Sequence, residues 1–409
     1  MAGASVGGGD REGYLGDKTF NVMRNNPNFN NKIKLILGGQ HGWVGQNDNI
    51  EKNSNNHDMI VLAPYFNGPE TIQSIIGGAN TEAIFSYMYA WPTFNSQIGS
   101  MKQIKDVLIA NGKGTGIGVY EINFHSNGPP DEGLPIDERN KVLTGQGGGI
   151  AMPLNMLAYM KELGAKVQTS FTFAQYSVGV WYGGIDDRVR IWGMIADMAD
   201  VGSKRGTFLA NEVANKGIFK DMISTTQIGS NPTWTQLPID SITQSVTVPY
   251  IQSYAFKDGT KRSVVLFNLH RTSPLTVQIS LSSPPLTSSA TIYSLTSDDI
   301  YASNEDVSNT YGYTTTNINN FANDYSISLP PHSINTIVWD DSIQLSPPQI
   351  RTTKNELLDK ILRLSPSKVN DEDKGSLTII KIVFVGTIFL IFMLIILKII
   401  SGKNFVKKN

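Results

Sequence analysis

The chain has 409 residues, of which 40% are hydrophobic and 17% are charged, and its formal net charge is −1. This composition supports a packed core and excludes a fully disordered chain, and the small net charge gives no basic field for binding nucleic acid. Because the sequence contains no cysteine, disulfides, thiolate chemistry and cysteine-based zinc sites are also excluded.

Four short apolar runs in the first half of the chain predict buried β-strands, with helical patterns after or between them. The predicted strands are Ile33–Leu37, Met59–Ala63, Gly116–Tyr120 and Val167–Phe173. The predicted helices are Glu70–Tyr89, Met101–Ala110, Gly149–Leu163 and Arg205–Phe219, and residues 1–25 are glycine-rich and then helical in pattern. The asparagine-rich stretches Asn25–Asn31 and Asn47–Asn56 are expected to form surface loops. Strands that alternate with helices indicate a parallel sheet.

Beyond about residue 240 the pattern changes to short alternating runs separated by turn residues such as Asp258-Gly259. The predicted strands here are Gln252–Phe256, Ser263–Asn268, Thr276–Leu281, Ala290–Leu295 and Tyr325–Leu329. Several short strands with frequent turn signals predict an antiparallel β-sandwich.

A mostly apolar segment near the C-terminus, Leu377–Ile400, predicts a transmembrane helix, with Lys381 and Lys398 one turn inside its ends, where they can reach the headgroups. At about 1.5 Å per residue it spans roughly 36 Å, enough to cross a hydrocarbon core of about 30 Å. Acidic residues 371–373 precede it and three lysines follow it. The positive-inside rule therefore predicts a single-pass protein with a cytoplasmic tail and an extracellular or lumenal domain, in contact with the lipid bilayer.

The first residues conflict with that orientation, because MAGASVGGGDREGYLG has no basic region followed by an apolar stretch and is not a signal peptide. Two interpretations stay open. Either the true N-terminus is missing from this sequence, or the protein is tail-anchored with its large domain in the cytosol.

The segment GIGVYEINFHS, residues 116–126, has the strongest functional pattern. In a parallel barrel the C-terminal ends of the strands form the active face. A carboxylate such as Glu121 at that position, between aromatic and polar neighbours, suits the nucleophile of a glycosidase. The alternative is a surface carboxylate or a member of an ion pair.

This segment resembles the seventh strand of the retaining (β/α)8-barrel glycoside hydrolases known as clan A, whose nucleophile glutamate ends that strand. Residues 35–43 (LILGGQHGW) resemble strand five, 57–66 (HDMIVLAPYF) strand six, and 145–176 the seventh helix and eighth strand. Ser263–Leu269 and Ile327–Trp339 resemble the C-terminal β domain of arabinofuranosidase- and xylosidase-like enzymes.

The resemblance implies an α/β fold with a partial barrel, about strands five to eight, followed by an antiparallel β-sandwich and one transmembrane helix. We expect the barrel part in residues 1–235, the sandwich in 236–340, a linker in 341–376, the membrane helix in 377–400 and a basic tail in 401–409. It also implies Glu121 as the catalytic nucleophile and a carbohydrate ligand, with no metal and no cofactor. The substrate-binding residues expected from it are His41, Trp43, Tyr65, Asn123, His125 and Trp192.

One part of the family pattern is missing, because the acid/base glutamate should end strand four. Upstream of Ile33 the only glutamate is Glu12, with no strand before it, and the Asn211-Glu212 pair lies in the last predicted helix. Without a second carboxylate the leaving group has no proton donor. We therefore expect a chain that is inactive or incomplete, or a half-barrel that pairs with another. The alternative function is a non-catalytic, membrane-tethered glycan-binding or adhesion module.

Overall fold

A computed structural model of the chain describes residues 8–67, 81–125, 136–174, 190, 192–281, 285 and 288–341. The helices of this part are α1 Gly8–Arg24, α2 Val44–Lys52, α3 Thr81–Gln97, α4 Ser100–Ala110, α5 Ile136–Thr144, α6 Gln146–Leu163 and α7 Gly206–Gly217. The strands of the first half are β1 Ile36–Gly38, β2 Met59–Leu62, β3 Phe66–Asn67, β4 Gly116–Ile122, β5 Phe124–His125 and β6 Gln168–Ser170.

The predicted parallel sheet is present, and its four strands stand in the order β1-β2-β4-β6. Gly38 pairs with Val61, and Val61 pairs in turn with Gly118. Beyond their carboxyl ends, β3 and β5 continue side by side, with Phe66 opposite Phe124. All of these pairings are parallel, so the carboxyl ends of the strands meet at one edge.

Helices cover one face of this sheet. Leu37, Ile60, Ile117 and Val119 point into a core that also contains apolar residues of α3, α4 and α6. On the opposite face side chains are more accessible, and Ile36 and Tyr120 are 40% and 42% exposed. The helix-covered side of the parallel sheet is therefore the more deeply buried one, and the opposite side is partly accessible, although Val61 there is only 9% exposed.

The glycines at 147–149, which carry no phosphate-loop pattern, serve helix packing. A Cβ atom on Gly149 would lie 2.3 Å from the carbonyl carbon of Gly206, so α6 and α7 approach at backbone distance there. Bringing α7 this close places its far side against β11 and β16 of the second half of the chain.

The strands of the second half are β7 Asp221–Ile223, β8 Thr233–Gln236, β9 Val246–Pro249, β10 Ile251–Asp258, β11 Lys261–Asn268, β12 Leu275–Ile279, β13 Ala290–Leu295, β14 Thr314–Ile318, β15 Tyr325–Leu329 and β16 Ser333–Asp340. They form a six-stranded sheet of order β14-β13-β16-β11-β10-β7 and two-stranded sheets β12-β15 and β8-β9. All of these pairings are antiparallel. A second apolar core lies between the larger sheet and β12-β15, as expected for a sandwich.

Two sequence-based expectations about local structure were wrong. Residues 47–56 were expected to be a loop, but α2 covers their first half, and Asn47 is fully buried because its amide nitrogen donates to the carbonyls of Gln40 and Trp43. Helix α5 was not predicted at all. The expected domain boundary at 235/236 falls inside β8, and the division into domains stays a prediction.

The predicted membrane helix lies outside the described residues, as do the basic tail and all of the linker except Asp341. Within the described ranges, no helix combines the length and apolar character needed to cross a bilayer.

Candidate functional site

Glu121 stands at the carboxyl end of β4, where the pairing with β6 is irregular. Val119 pairs with Gln168 and Ile122 with Ser170, so β4 carries one residue more than β6 over this interval. Strict alternation would place Glu121 on the helix-covered face with Val119. The extra residue forms a β-bulge instead: Ile122 is fully buried, while Tyr120 is exposed and Glu121 half-buried. Bulges re-aim side chains in this way.

Tyr65, three residues after β2, is the hydrogen-bonding neighbour of Glu121. Burial raises the pKa of Tyr65, and the charge of Glu121 and a hydrogen bond to it raise this pKa further. The phenol therefore stays protonated and donates to the carboxylate. Burial and the same negative charge also raise the pKa of Tyr120, which places it beside Glu121 as well.

Aromatic rings surround this pair. The Tyr65 ring meets that of His125 edge-on, with centroids 6.4 Å apart, and that of Trp192 with centroids 6.2 Å apart. His125 is exposed and Trp192 is half-buried. The structure thus brings together Glu121, Tyr65, His125 and Trp192, which sequence reasoning selected from three separate segments.

Asn123 is also at this place, but its side chain faces the main chain. It is 1% exposed, and its amide nitrogen donates to the carbonyls of Phe171 and Trp192, the latter at 2.9 Å. The indole nitrogen of Trp192 in turn donates to the carbonyl of Phe124 at 2.8 Å. These bonds tie the end of β4 to the segments after β6. The predicted contact of Asn123 with substrate stays a prediction.

A buried arginine holds the Trp192 segment from the other side. Arg205 is 2% exposed, and its Nη1 donates to the carbonyl of Gly193 at 2.8 Å. Its Nε and Nη2 bond both carboxylate oxygens of Glu305 at 2.6 and 2.9 Å, and Arg190 contacts the same carboxylate at 2.7 Å. Sequence reasoning missed this pair, because Arg205 and Glu305 are 100 residues apart.

The other two predicted ligand-binding residues have different neighbours. His41 follows β1, lies 3.3 Å from the Asn95 amide and packs its ring edge-on against Trp91 on α3. Burial lowers the pKa of His41 to about 4, so its ring is neutral at pH 7. Trp43 precedes α2 and is 52% exposed. Their predicted roles in substrate binding stay predictions.

Glu12, the only glutamate upstream of Ile33, lies beside β1. Its Oε1 is 3.9 Å from where a Cβ on Gly38 would stand, and burial raises its pKa. Gly38 pairs with Val61 and Val61 with Gly118, so Gly38 and Gly118 lie side by side with one strand between them. Glu121 is three residues further along β4, and the strand spacing and rise then put the Cα atoms of Gly38 and Glu121 about 14 Å apart. Retaining glycosidases hold their carboxyl groups about 5–5.5 Å apart. This spacing gives no basis for assigning Glu12 as the acid/base partner of Glu121.

Comparison with solved structures finds the same fold in family 51 arabinofuranosidases. The α-L-arabinofuranosidase from Thermotoga maritima, solved with arabinose, has a TM-score of 0.58 at 14% identity, over 81% of this chain and 62% of that chain. The AbfB arabinofuranosidase from Bifidobacterium longum has a TM-score of 0.58 at 13% identity, over 81% and 64%. The family 51 enzyme from Thermotoga petrophila has a TM-score of 0.56 at 14% identity, over 81% and 62%.

The predicted resemblance to barrel glycosidases is thus confirmed at the level of the fold. The chain spans less than two thirds of the length of each of these three structures. No protein-family model matches the sequence, and no curated protein matches it.

Proposed function

We propose that this chain is a retaining-glycosidase-like protein in which Glu121 holds the position of the nucleophile. The observation that carries the proposal is the hydrogen bond from Tyr65 to Glu121 at the carboxyl ends of parallel strands. The fold shared with the arabinofuranosidases supports it, because those proteins act on carbohydrate.

Each neighbour has a role that follows from its geometry. The Tyr65 hydroxyl donates to the carboxylate and so orients it for attack on an anomeric carbon. The rings of Trp192 and His125, both close to Tyr65, offer flat faces to the apolar side of a sugar. Asn123 positions Trp192 through its carbonyl. The substrate class would be a glycan, with an α-L-arabinofuranoside as the first choice from the fold neighbours.

We further propose that no carboxyl group among the described residues serves as the acid/base for Glu121, and that ordinary glycosides are not turned over. Without a proton donor an alkoxide must leave unassisted, which forfeits about 10²–10⁴-fold in rate. An activated aryl leaving group needs no proton, so the first half of a double displacement would still proceed. With no base to activate water, the glycosyl-enzyme would then accumulate.

The test is incubation with a 2,4-dinitrophenyl 2-deoxy-2-fluoro-glycoside panel that includes the arabinofuranoside. We expect a burst of dinitrophenol of one equivalent or less, a matching increase in intact mass, and the adduct mapped to Glu121. Glu121→Gln should abolish both signals.

Glu212→Gln is the matched control. Glu212 is a carboxylate on α7 that pairs with Lys204 at 3.2 Å and accepts from the hydroxyl of Tyr313 at 3.1 Å, within a helix of the same unit. This variant should label like the wild-type chain. An adduct on any other residue, with Glu121 unmodified, would remove the nucleophile assignment.

The more accessible face of the parallel sheet favours one second candidate, a protein that binds glycan or a partner without turnover. Ile36 and Tyr120 are exposed there, and β1 is an edge strand of the described sheet, where unpaired backbone groups can accept another strand. A second half-barrel would cover both features. Sedimentation velocity should then show a dimer, and Ile36→Lys should dissociate it.

We also propose that Leu377–Ile400 anchors the chain in a membrane. Alkaline carbonate should then leave the full chain in the membrane pellet, whereas a chain truncated before residue 377 is released. Protease treatment of sealed vesicles separates a lumenal domain, which is protected, from a tail-anchored cytosolic one, which is cleaved.

A further inference from the structure

The loop between β13 and β14, residues 296–313, belongs to the antiparallel half of the chain but contacts the segment that follows Trp192. In that segment residues 194–205 fold back on themselves, with Ile195 and Lys204 paired in an antiparallel bridge. Trp192 therefore lies at the base of a hairpin-like turn. Contacts that fix this turn also restrain the main chain next to Trp192.

The loop holds the turn by hydrogen bonds at several points. The pairs are Ser308 with Asp200, Asn309 with Gly202, Asn304 with Lys204, and Glu305 with Arg205. Asn304 is 2% exposed, and within the loop its side chain bonds both the carbonyl and the N–H of Tyr311, each at 2.8 Å. The residue before Glu305 is thus fixed in its own loop, which limits where the Glu305 carboxylate can lie.

The Glu305 carboxylate reaches the chain on both sides of Trp192. Its Oε2 accepts from Arg205 Nε at 2.6 Å, and its Oε1 accepts from Arg205 Nη2 at 2.9 Å. Arg205 Nη1 then donates to the carbonyl of Gly193, the residue after Trp192, at 2.8 Å. The same Oε1 lies 2.7 Å from Nε of Arg190, two residues before Trp192. A contact that served only to join the two halves of the chain would not need both of these arms.

Trp192 passes this restraint to the candidate site. Its indole nitrogen donates to the carbonyl of Phe124 at 2.8 Å, and its ring meets that of Tyr65 with centroids 6.2 Å apart. The side chain is half-buried, so part of it packs against the protein and part is open to a ligand. A side chain in a binding site must be held within about 0.5 Å of its productive position by its surroundings. Bonds to the neighbouring main chain supply that hold, and Glu305 contributes to them from both sides.

We propose that Glu305 is a positioning residue for the sugar platform at Trp192, so that a loop of the antiparallel half completes the candidate site. It acts on Trp192 only through the two arginines. When the carboxylate is removed, the Arg205 guanidinium loses the two bonds that orient it, and its bond to Gly193 weakens. The Trp192 ring then takes a wider range of tilts, which lowers the affinity for a sugar and leaves the nucleophile unchanged. The platform role of Trp192 rests on the proposed function, whereas its restraint by Glu305 does not.

The first experiment follows Trp192 itself, by ¹⁹F NMR of the full chain labelled with 5-fluorotryptophan. Trp192→Phe identifies its resonance among those of the six tryptophans. We expect Glu305→Gln to shift or broaden this resonance. Glu305→Asp, which keeps the charge but is too short to hold both arginines, should change it in the same direction and serves if the amide variant does not fold.

Ile337→Val is the matched control, because it removes one methyl group from a fully buried residue of β16 and so destabilises the fold away from Trp192. It should leave the Trp192 resonance in place. An unmoved resonance in both Glu305 variants would overturn the proposal, and so would an equal change in Ile337→Val, since the effect would then follow stability alone.

The second experiment measures the rate of adduct formation at Glu121 against the concentration of the fluoro-glycoside. Because Glu305 acts on binding, Glu305→Gln should raise the half-saturation concentration about tenfold and keep the limiting rate within about twofold. A fall in the limiting rate at unchanged half-saturation, or no change in either, would refute the positioning role. Absence of any adduct with the wild-type chain would remove the proposed function, and the NMR result would still decide whether Glu305 restrains Trp192. An adduct with no response of the Trp192 resonance would do the reverse.

Discussion

The buried pair of Glu51 and His57 gives the sharpest prediction about stability. It lies at the amino-terminal ends of β2 and β4, opposite the functional edge. Glu51 Oε2 is 2.6 Å from His57 Nε2, and Glu51 Oε1 accepts from the Thr115 hydroxyl at 2.7 Å. The side chains of His57 and Glu51 are 1% and 0% exposed, and His57 Nδ1 is 2.9 Å from the Ser54 hydroxyl. Every polar atom of the pair thus has a partner.

Removing the imidazole leaves a buried carboxylate that keeps a hydrogen bond from the Thr115 hydroxyl and the nearby charge of Lys113 but has lost its closest partner. His57→Ala should therefore lower the free energy of unfolding by about 3–5 kcal/mol, the usual cost of removing one partner of a buried pair. In a Glu51→Gln background the same change leaves a neutral amide instead, which costs less to bury. The two mutations should therefore be coupled by about 1–3 kcal/mol.

The assay is urea unfolding at pH 7 of the wild-type chain, both single variants and the double variant. Lys102→Ala is the control, because its ion pair with Asp106 on α4 is exposed and should contribute less than about 1 kcal/mol. If the double variant is destabilised by the plain sum of the single variants, the pair does not act as a unit and the reasoning is refuted.

The pH dependence of the same pair has a definite sign. Burial alone would raise the pKa of Glu51, but hydrogen bonds from His57 and Thr115 outweigh it and hold this pKa below 4.5. A carboxyl whose pKa is lower in the folded state stabilises the fold above its unfolded pKa. That contribution should be present at pH 5 and above and disappear as the pH falls below about 4.5. Glu51→Gln should remove it.

Three further predictions concern the functional edge. Tyr65→Phe removes a donor to the Glu121 carboxylate, a bond of about 1.5–3 kcal/mol, so adduct formation with the fluoro-glycoside should slow about 10- to 100-fold; an unchanged rate would contradict the orienting role. Glu305→Gln weakens the bidentate pair with buried Arg205. The free energy of unfolding, measured by urea denaturation, should therefore fall by about 1–3 kcal/mol. Equal stability of the variant and the wild-type chain would show that the pair contributes nothing. The pKa of His41 is lowered to about 4 on folding, so its ring should titrate by NMR near pH 4 and the free energy of unfolding should rise with pH between about 4 and 6.5. His41→Asn should remove this rise. A ring that titrates near pH 6.5 would contradict the prediction.

The sequence predicted the parallel sheet well, because buried strands of a helix-covered sheet are short apolar runs. The predicted strands Met59–Ala63 and Gly116–Tyr120 differ by only one or two residues from β2 and β4. Helix α2 was missed because two of its three buried residues, Asn47 and Glu51, are polar. Asn47 is buried through hydrogen bonds to the preceding turn, and no apolar periodicity marks such a helix.

For the candidate site, the family resemblance grouped Glu121, Tyr65 and His125, and the structure places Tyr65 next to both of the others. The supports of that site were not predictable in the same way. The Arg205–Glu305 pair joins residues 100 positions apart, and no local pattern indicates such contacts. Likewise, a β-bulge depends on the number of residues in each strand between paired positions, which a single strand does not reveal.

That bulge at the end of β4 separates two properties that usually go together, tolerance of a new side chain and tolerance of a change in length. Tyr120 is exposed, so many residues would fit there. Deleting it would nevertheless remove the bulge and place Glu121 directly after Val119, where Tyr120 now stands, which moves the carboxylate along the strand from its position beside Tyr65. At this position substitutions should therefore be tolerated and a deletion should not, because the strand needs a residue at position 120 whatever its side chain is.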